Sequence, residues 1–193
     1  METMKKSTII LIVVGLVLFF FVAWGIGTYN SLVQLDETAK TSFAQIEVQY
    51  QRRMDLIPNL VATVKGAANF EQGTLTAVTD ARSAWAKAGN ANEKIDAANQ
   101  FNSAMSRLLV TVEAYPNLKA TEAFMRLNDE LAGTENRIQF ARQSYNETVK
   151  TYNMTIRFFP GSMIAGMYGF TAKSLFEAKS GADTPPAVSF DKK

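Results

Sequence analysis

The pattern of apolar and polar positions changes character once along this chain, near residue 28. Before that point the apolar residues are continuous. Ile9 to Ile26 is an uncharged run of 18 residues. At 1.5 Å per residue, a helix of that length crosses the hydrocarbon core of a bilayer. Beyond it the apolar residues recur at alternating spacings of three and four, which predicts helices with one buried face. From Ser31 to about Ala68 the stripe is Leu32, Leu35, Ala39, Phe43, Ile46, Tyr50, Arg53, Ile57, Leu60, Val64 and Ala67. It reads as a coiled-coil-like seam with one polar break, at Arg53. Neither glycine nor proline separates Thr28 from Asp55, so the apolar helix is expected to run into the following domain as one rod. Pro58 should kink that helix without ending it, because Leu60, Val61 and Val64 continue the stripe.

Three more helices follow by the same reasoning. The second opens at Gly73-Thr74 and stops at Gly89-Asn90. The third runs from about Asn92 to Ala114 and ends in the Tyr115-Pro116-Asn117 turn. The fourth is expected as one long helix from about Leu118 to Arg157, with Phe124, Leu127, Leu131, Thr134, Ile138, Ala141, Tyr145, Val149, Tyr152 and Ile156 inward. Strand-period alternation is not found. The fold class is therefore all-α: an N-terminal transmembrane helix continuing into an antiparallel four-helix bundle whose first and last helices are long. The expected divisions are a cytoplasmic N-terminus (1–8), an anchor (9–28), the bundle (29–157), an apolar C-terminal segment (158–177) and a disordered tail (178–193). The segment after Pro160 is too short and too glycine-interrupted to span a bilayer. It is expected to pack on the bundle as a flap, the alternative being a position on the membrane surface or on a partner.

A cleaved signal peptide is the alternative to an anchor. The run is longer than a signal peptide's apolar region, and its end, Val22-Ala23-Trp24-Gly25-Ile26-Gly27, interrupts the small residues with bulky ones, which favours an uncleaved anchor. Ala23 and Gly27 form a small-xxx-small pair, through which two anchors could pack closely. Lys5 and Lys6 precede the run, whereas the first basic residue after it is Lys40. The positive-inside rule then keeps the N-terminus in the cytoplasm and sends the domain outward.

Composition narrows the chemistry. The 20 Lys+Arg balance 18 Asp+Glu, with no basic stripe, which leaves nucleic acid without an electrostatic footprint. Histidine and cysteine are both absent. That excludes a Ser-His-Asp triad, a thiolate nucleophile, a zinc knuckle and the Glu-x-x-His motif of a bundle di-iron site. Carboxylates remain at Glu113, Glu122 and Asp129-Glu130, where a solvated helix face is the ordinary reading. No catalytic residue, metal site or cofactor is expected.

The polar residues that draw notice lie in or beside the seam. Arg53 stands where the stripe wants an apolar side chain. Glu135, Asn136 and Arg137 lie near the middle of the last helix, which runs beside the middle of the first in an antiparallel bundle. An Arg53–Glu135 pair would fix register, as polar seam residues do in coiled coils; the same cluster could instead dock a partner. Asp55 and Asn59 are expected to satisfy backbone groups freed by Pro58.

The stretch from Gln45 to Gly66, with Gln51-Arg52-Arg53-Met54-Asp55-Leu56-Ile57-Pro58-Asn59-Leu60-Val61 at its centre, resembles the signature of the LemA family. Tyr115-Pro116-Asn117-Leu118-Lys119-Ala120, Thr134-Glu135-Asn136-Arg137-Ile138, Ala141-Arg142, Tyr145-Asn146, Tyr152-Asn153 and Phe159-Pro160 match it as well. The resemblance implies a bacterial, membrane-anchored helical bundle without an established biochemical role. Some relatives are linked to magnetosome membranes, and others resemble neighbours of membrane proteases or stress proteins. Where relatives carry Tyr and His after Lys65-Gly66, this chain has Ala67, Ala68, Asn69 and Phe70, so a chemical task for that histidine does not transfer. Two functions are in view: a self-associating, non-enzymatic scaffold of the envelope, or a binding module for a membrane enzyme such as a protease.

Overall fold

The computed structural model describes residues 2–66 and 70–176, residues 2–6 as backbone alone. The expectations for Lys5 and Lys6, for Ala67 to Asn69 and for a disordered tail at 178–193 lie outside the described residues. The described secondary structure is entirely helical: α1 (Glu2–Lys65), α2 (Gln72–Lys87), α3 (Ala91–Val112), α4 (Pro116–Lys119), α5 (Glu122–Thr155) and α6 (Gly161–Tyr168).

The 64 residues of α1 form one helix that includes both the apolar run and Pro58. It is long and apolar enough to cross a membrane, and the most apolar 18-residue window, of mean hydropathy 3.0, has none of its residues buried in protein. Beyond residue 31 the three-and-four spacing takes effect. Leu32, Ala39, Ile46, Tyr50, Ile57, Leu60 and Val64 are buried, while Leu35 and Phe43 are half-buried.

Arg82, on α2, caps the backbone at Pro58. Proline has no N–H to offer the carbonyl four residues back. That carbonyl belongs to Met54, and it accepts from Arg82 Nε at 3.1 Å. This corrects the expected role of Asp55 and Asn59. Both are exposed; Asp55 accepts from Gln51 Nε2 (2.9 Å), and the Asn59 carbonyl accepts from Thr63.

The expected fourth helix is also corrected. Pro116 starts a single turn, α4, and the chain breaks at Ala120-Thr121 before α5 begins. Thr121, extended at φ −70° and ψ 137°, caps α5 by accepting from the Phe124 N–H at 3.3 Å. α5 ends at Thr155, ahead of a cis Phe159–Pro160 peptide.

α5 runs antiparallel along α1, and α2 pairs with α3. The two pairs share one continuous core that includes Tyr50, Trp85, Phe101, Met105, Ile138 and Tyr145. Tyr50 and Trp85 stack at 4.5 Å, and Lys94 lies 4.7 Å over the Trp85 ring. The α2–α3 pair therefore meets α1 on its second half. The first half beyond the apolar run is lined instead by the end of α5, by α6 and by the extended residues 171–176. The expected flap thus has two parts, a short helix and an extended strap.

Candidate functional site

A chain of polar side chains crosses the core between α1, α3 and α5. Arg53 takes its place in the seam with 7% of its side chain exposed, against 32% for Glu135, and the two form an ion pair. Arg53 Nη1 also donates to Asn102 Oδ1 at 3.3 Å, and Asn102 Nδ2 donates to the Tyr50 hydroxyl at 3.2 Å. Arg142 Nη2 donates to the same hydroxyl from the other side. The guanidinium of Arg53 stands 5.5 Å from the Phe101 ring centre, and that of Arg142 stands 4.8 Å from Phe176. Burial pushes the Tyr50 hydroxyl above its ordinary pKa, so it keeps its proton near neutrality and is no base.

Of the six residues singled out in sequence, the fold brings together Arg53 and Glu135. Asn136 and Arg137 are exposed, because successive residues of a helix point about 100° apart. Asp55 and Asn59 lie on the outer face of α1, away from the cluster. Tyr50, Asn102 and Arg142 complete it and were not foreseen together. Tyr50 reads as an ordinary seam residue, and nothing in the sequence marks Asn102. The cluster holds two guanidiniums, one carboxylate and a protonated phenol. It contains no nucleophile poised beside a base. No group of three or more acidic side chains able to hold a metal occurs among the described residues.

A second constellation lies on α5 and uses a repeat of seven. Tyr145-Asn146 and Tyr152-Asn153 present the same pair of side chains two turns apart. Asn146 Nδ2 donates to the Phe176 carbonyl (2.8 Å) while its Oδ1 accepts from the Phe176 N–H (2.9 Å). Asn153 does the same for Lys173, at 2.8 and 2.9 Å. An amide side chain carries one donor and one acceptor side, so it mimics a neighbouring strand toward an extended backbone. The tyrosines add hydroxyl bonds to the carbonyls of Ser174 (2.9 Å) and Thr171 (3.0 Å). Burial raises both tyrosine pKa values, so these hydroxyls stay donors. Lys173 reaches across to α1 and pairs with Asp36 at 2.8 Å. Phe176, at the far end, is buried against Phe43 and Tyr145.

Ala23 and Gly27 are exposed, and nothing lies within 4 Å of a methyl group placed on Gly27. Thr28 and Tyr29, a different face of the same turns, meet α6.

The LemA family profile matches residues 42–190, which takes in the seam from Phe43 onward, the polar cluster and the clamp on α5. The chain belongs to the LemA family. Among its relatives, magnetosome protein MamQ 2 of Paramagnetospirillum magneticum is 27% identical over 191 residues, covering 86% of this chain and 70% of the relative. Magnetosome protein MamQ of Magnetospirillum gryphiswaldense is 27% identical over 183 residues, covering 81% and 67%. Protein LemA of Metamycoplasma hominis is 23% identical over 175 residues, covering 90% and 79%. These LemA family relatives and the apolar helix agree on a membrane-associated bacterial protein.

Proposed function

We propose that this LemA family protein is a non-enzymatic scaffold of the bacterial inner membrane. Its span holds the N-terminus in the cytoplasm, and its long helices act as an antiparallel four-helix bundle on the periplasmic or outer side. The observation that carries this reading is the continuity of α1. One uninterrupted helix is membrane anchor at one end and core element at the other, so assembly of anchors would orient the bundles rigidly. The open face at Ala23 and Gly27 supports self-association, because small residues let helix backbones approach closely in lipid. The polar cluster fits a register device better than a reaction centre, since Arg53 is paired with Glu135 and Arg142 donates to the Tyr50 hydroxyl.

Light scattering of full-length protein in mild detergent tests the proposal. A defined oligomer that becomes monomeric on Gly27→Leu is expected. If the protein runs as a monomer and Gly27→Leu changes nothing, the scaffold reading fails. Orientation is tested separately by single cysteines at Thr8 and Asn117, which the cysteine-free background allows. An impermeant thiol reagent added to intact cells should label Asn117→Cys and spare Thr8→Cys.

A further inference from the structure

The scaffold reading leaves unused the most apolar surface outside the span. We propose that residues 158–170, with α6 at their centre, lie in the interfacial layer of the leaflet through which α1 leaves the membrane. They make a second, monotopic contact with lipid. The proposal rests on the membrane-anchor reading above.

The two longest uncharged stretches of the chain are residues 7–35 on α1 and residues 158–172. The first is about 44 Å long as a helix, enough for the hydrocarbon core and both interfacial layers. The structure places the second stretch beside the end of the first. The Trp24 and Phe159 ring centres are 5.7 Å apart, those of Tyr29 and Tyr168 4.6 Å, and those of Tyr29 and Phe170 6.0 Å. The unbroken apolar run stops at Ile26, so α6 straddles the level where hydrocarbon gives way to headgroups. Trp24, Tyr29 and Tyr168 sit at that level, where amphipathic rings collect in membrane proteins.

The outer side of the segment is apolar and uncovered. Met167 is 73% exposed and Phe159 70%, with Phe158, Met163 and Tyr168 also exposed. Facing water, they would add an apolar patch with no protein to cover it. Facing the acyl–headgroup boundary, they are solvated by lipid. Between α6 and α1 lies an apolar crevice of about 350 Å³, lined by Phe21, Trp24, Gly25, Thr28, Met163 and Met167. Acyl chains are the apolar filler available at that depth.

The segment is held to the domain at both ends, so it is no loose flap. Gly161 is buried where an added methyl would stand 2.0 Å from the Thr155 carbonyl oxygen, which locks the start of α6 under the end of α5. Gly169, at φ +76°, closes α6 in the left-handed conformation. The strap beyond it is then fastened by the Tyr-Asn pairs. An interfacial contact made by a segment so fixed sets the height and tilt of the whole domain above the bilayer, which a lone span, free to tilt in lipid, does not.

The test uses full-length protein reconstituted in phosphatidylcholine–phosphatidylglycerol vesicles, with a bimane fluorophore on a single cysteine at Met167, Phe19 or Asn117. Quenching by lipids brominated near the headgroup or deep in the chain reads depth. We expect Met167→Cys to be quenched several-fold more than Asn117→Cys, and more by the shallow bromines than by the deep ones. Phe19→Cys should prefer the deep bromines. An unquenched Met167→Cys beside a quenched Phe19→Cys overturns the proposal and leaves the anchor standing. If Phe19→Cys is unquenched too, the anchor reading falls and the proposal with it. Efficient disulfide formation between Met167→Cys chains, without lipid quenching, also overturns it by assigning the face to a second copy.

Discussion

The two halves of α1 carry similar side chains into different surroundings. Phe20 is 68% exposed and Leu60 fully buried, yet both sit in one unbroken helix. The difference lies in the pattern. Apolar residues on every face leave a helix with no side to turn to water, which suits lipid. Apolar residues on one stripe leave a polar face, which suits the edge of a protein core. Truncation at the two positions should therefore have opposite consequences. Leu60→Ala opens a cavity in a packed interior and should lower the stability of the domain by about 2–5 kcal/mol in urea unfolding. Phe20→Ala should leave that unfolding midpoint where it was. Equal effects would mean that the first half also packs within the domain.

The next largest effect separates charge from packing inside the buried half. Removing Glu135 leaves the Arg53 guanidinium buried without its carboxylate, and Glu135→Ala should cost about 1–3 kcal/mol, moderated by the partial exposure of the pair. Replacing the arginine is different. Arg53→Met removes the buried charge and keeps an unbranched side chain of fair length, so stability should change little or rise. A double-mutant cycle reads the coupling directly. If Arg53→Met proves as damaging as Glu135→Ala, the arginine contributes through packing on Phe101 instead of through the pair.

A loss of similar size but more local reach is expected where the two surroundings meet. In Gly161→Ala the new methyl collides with the Thr155 carbonyl, and relief requires backbone movement costing about 1–3 kcal/mol. The cost falls on α6 and the strap. Hydrogen exchange should speed up at Gly169 and Lys173 while the α2–α3 amides keep their protection. Uniform loss of protection would show that α6 is part of the central core.

The sequence conveyed the parts of this fold that depend on periodicity. The span, the seam from Leu32 to Val64 and most of the α5 stripe follow from spacing alone. It was silent on what depends on side chains meeting across elements. Arg82 reads as an inward-leaning position on α2, and its service to the Met54 carbonyl needs the relative height of two helices. Asn136 and Arg137 looked like members of a cluster because they adjoin Glu135 in sequence, and the helix turned them away. The strap clamp had a visible sign. Tyr-Asn at 145 and again at 152 is a repeat of seven on one face, though nothing along the chain says that its ligand is residues 171–176. The break at Thr121 had a sign too, a threonine able to cap, concealed by apolar spacing that carries on across it.

The smallest effect tests how the strap is tied to α1 just beyond the span. Burial alone would raise the Asp36 pKa, but hydrogen bonds from Lys173 and Lys40 outweigh it and hold the carboxyl below its ordinary value of 3.8. Lys40 in turn is held above its ordinary value by Asp36 and Glu37. A carboxyl lowered on folding contributes stability that is fully present above its unfolded pKa and is lost as pH falls through the folded one. The strap should thus be indifferent to pH between about 5 and 8 and loosen below about pH 4, by no more than about 1 kcal/mol for a pair of this kind. The Phe176 amide, held by Asn146, reports it through hydrogen exchange corrected for the intrinsic rate. Asp36→Asn should abolish the acid step and leave the neutral-pH exchange only slightly faster. An acid step that survives in Asp36→Asn would place the sensitive carboxyl elsewhere, and it would leave the Tyr-Asn clamp alone holding the strap to α5.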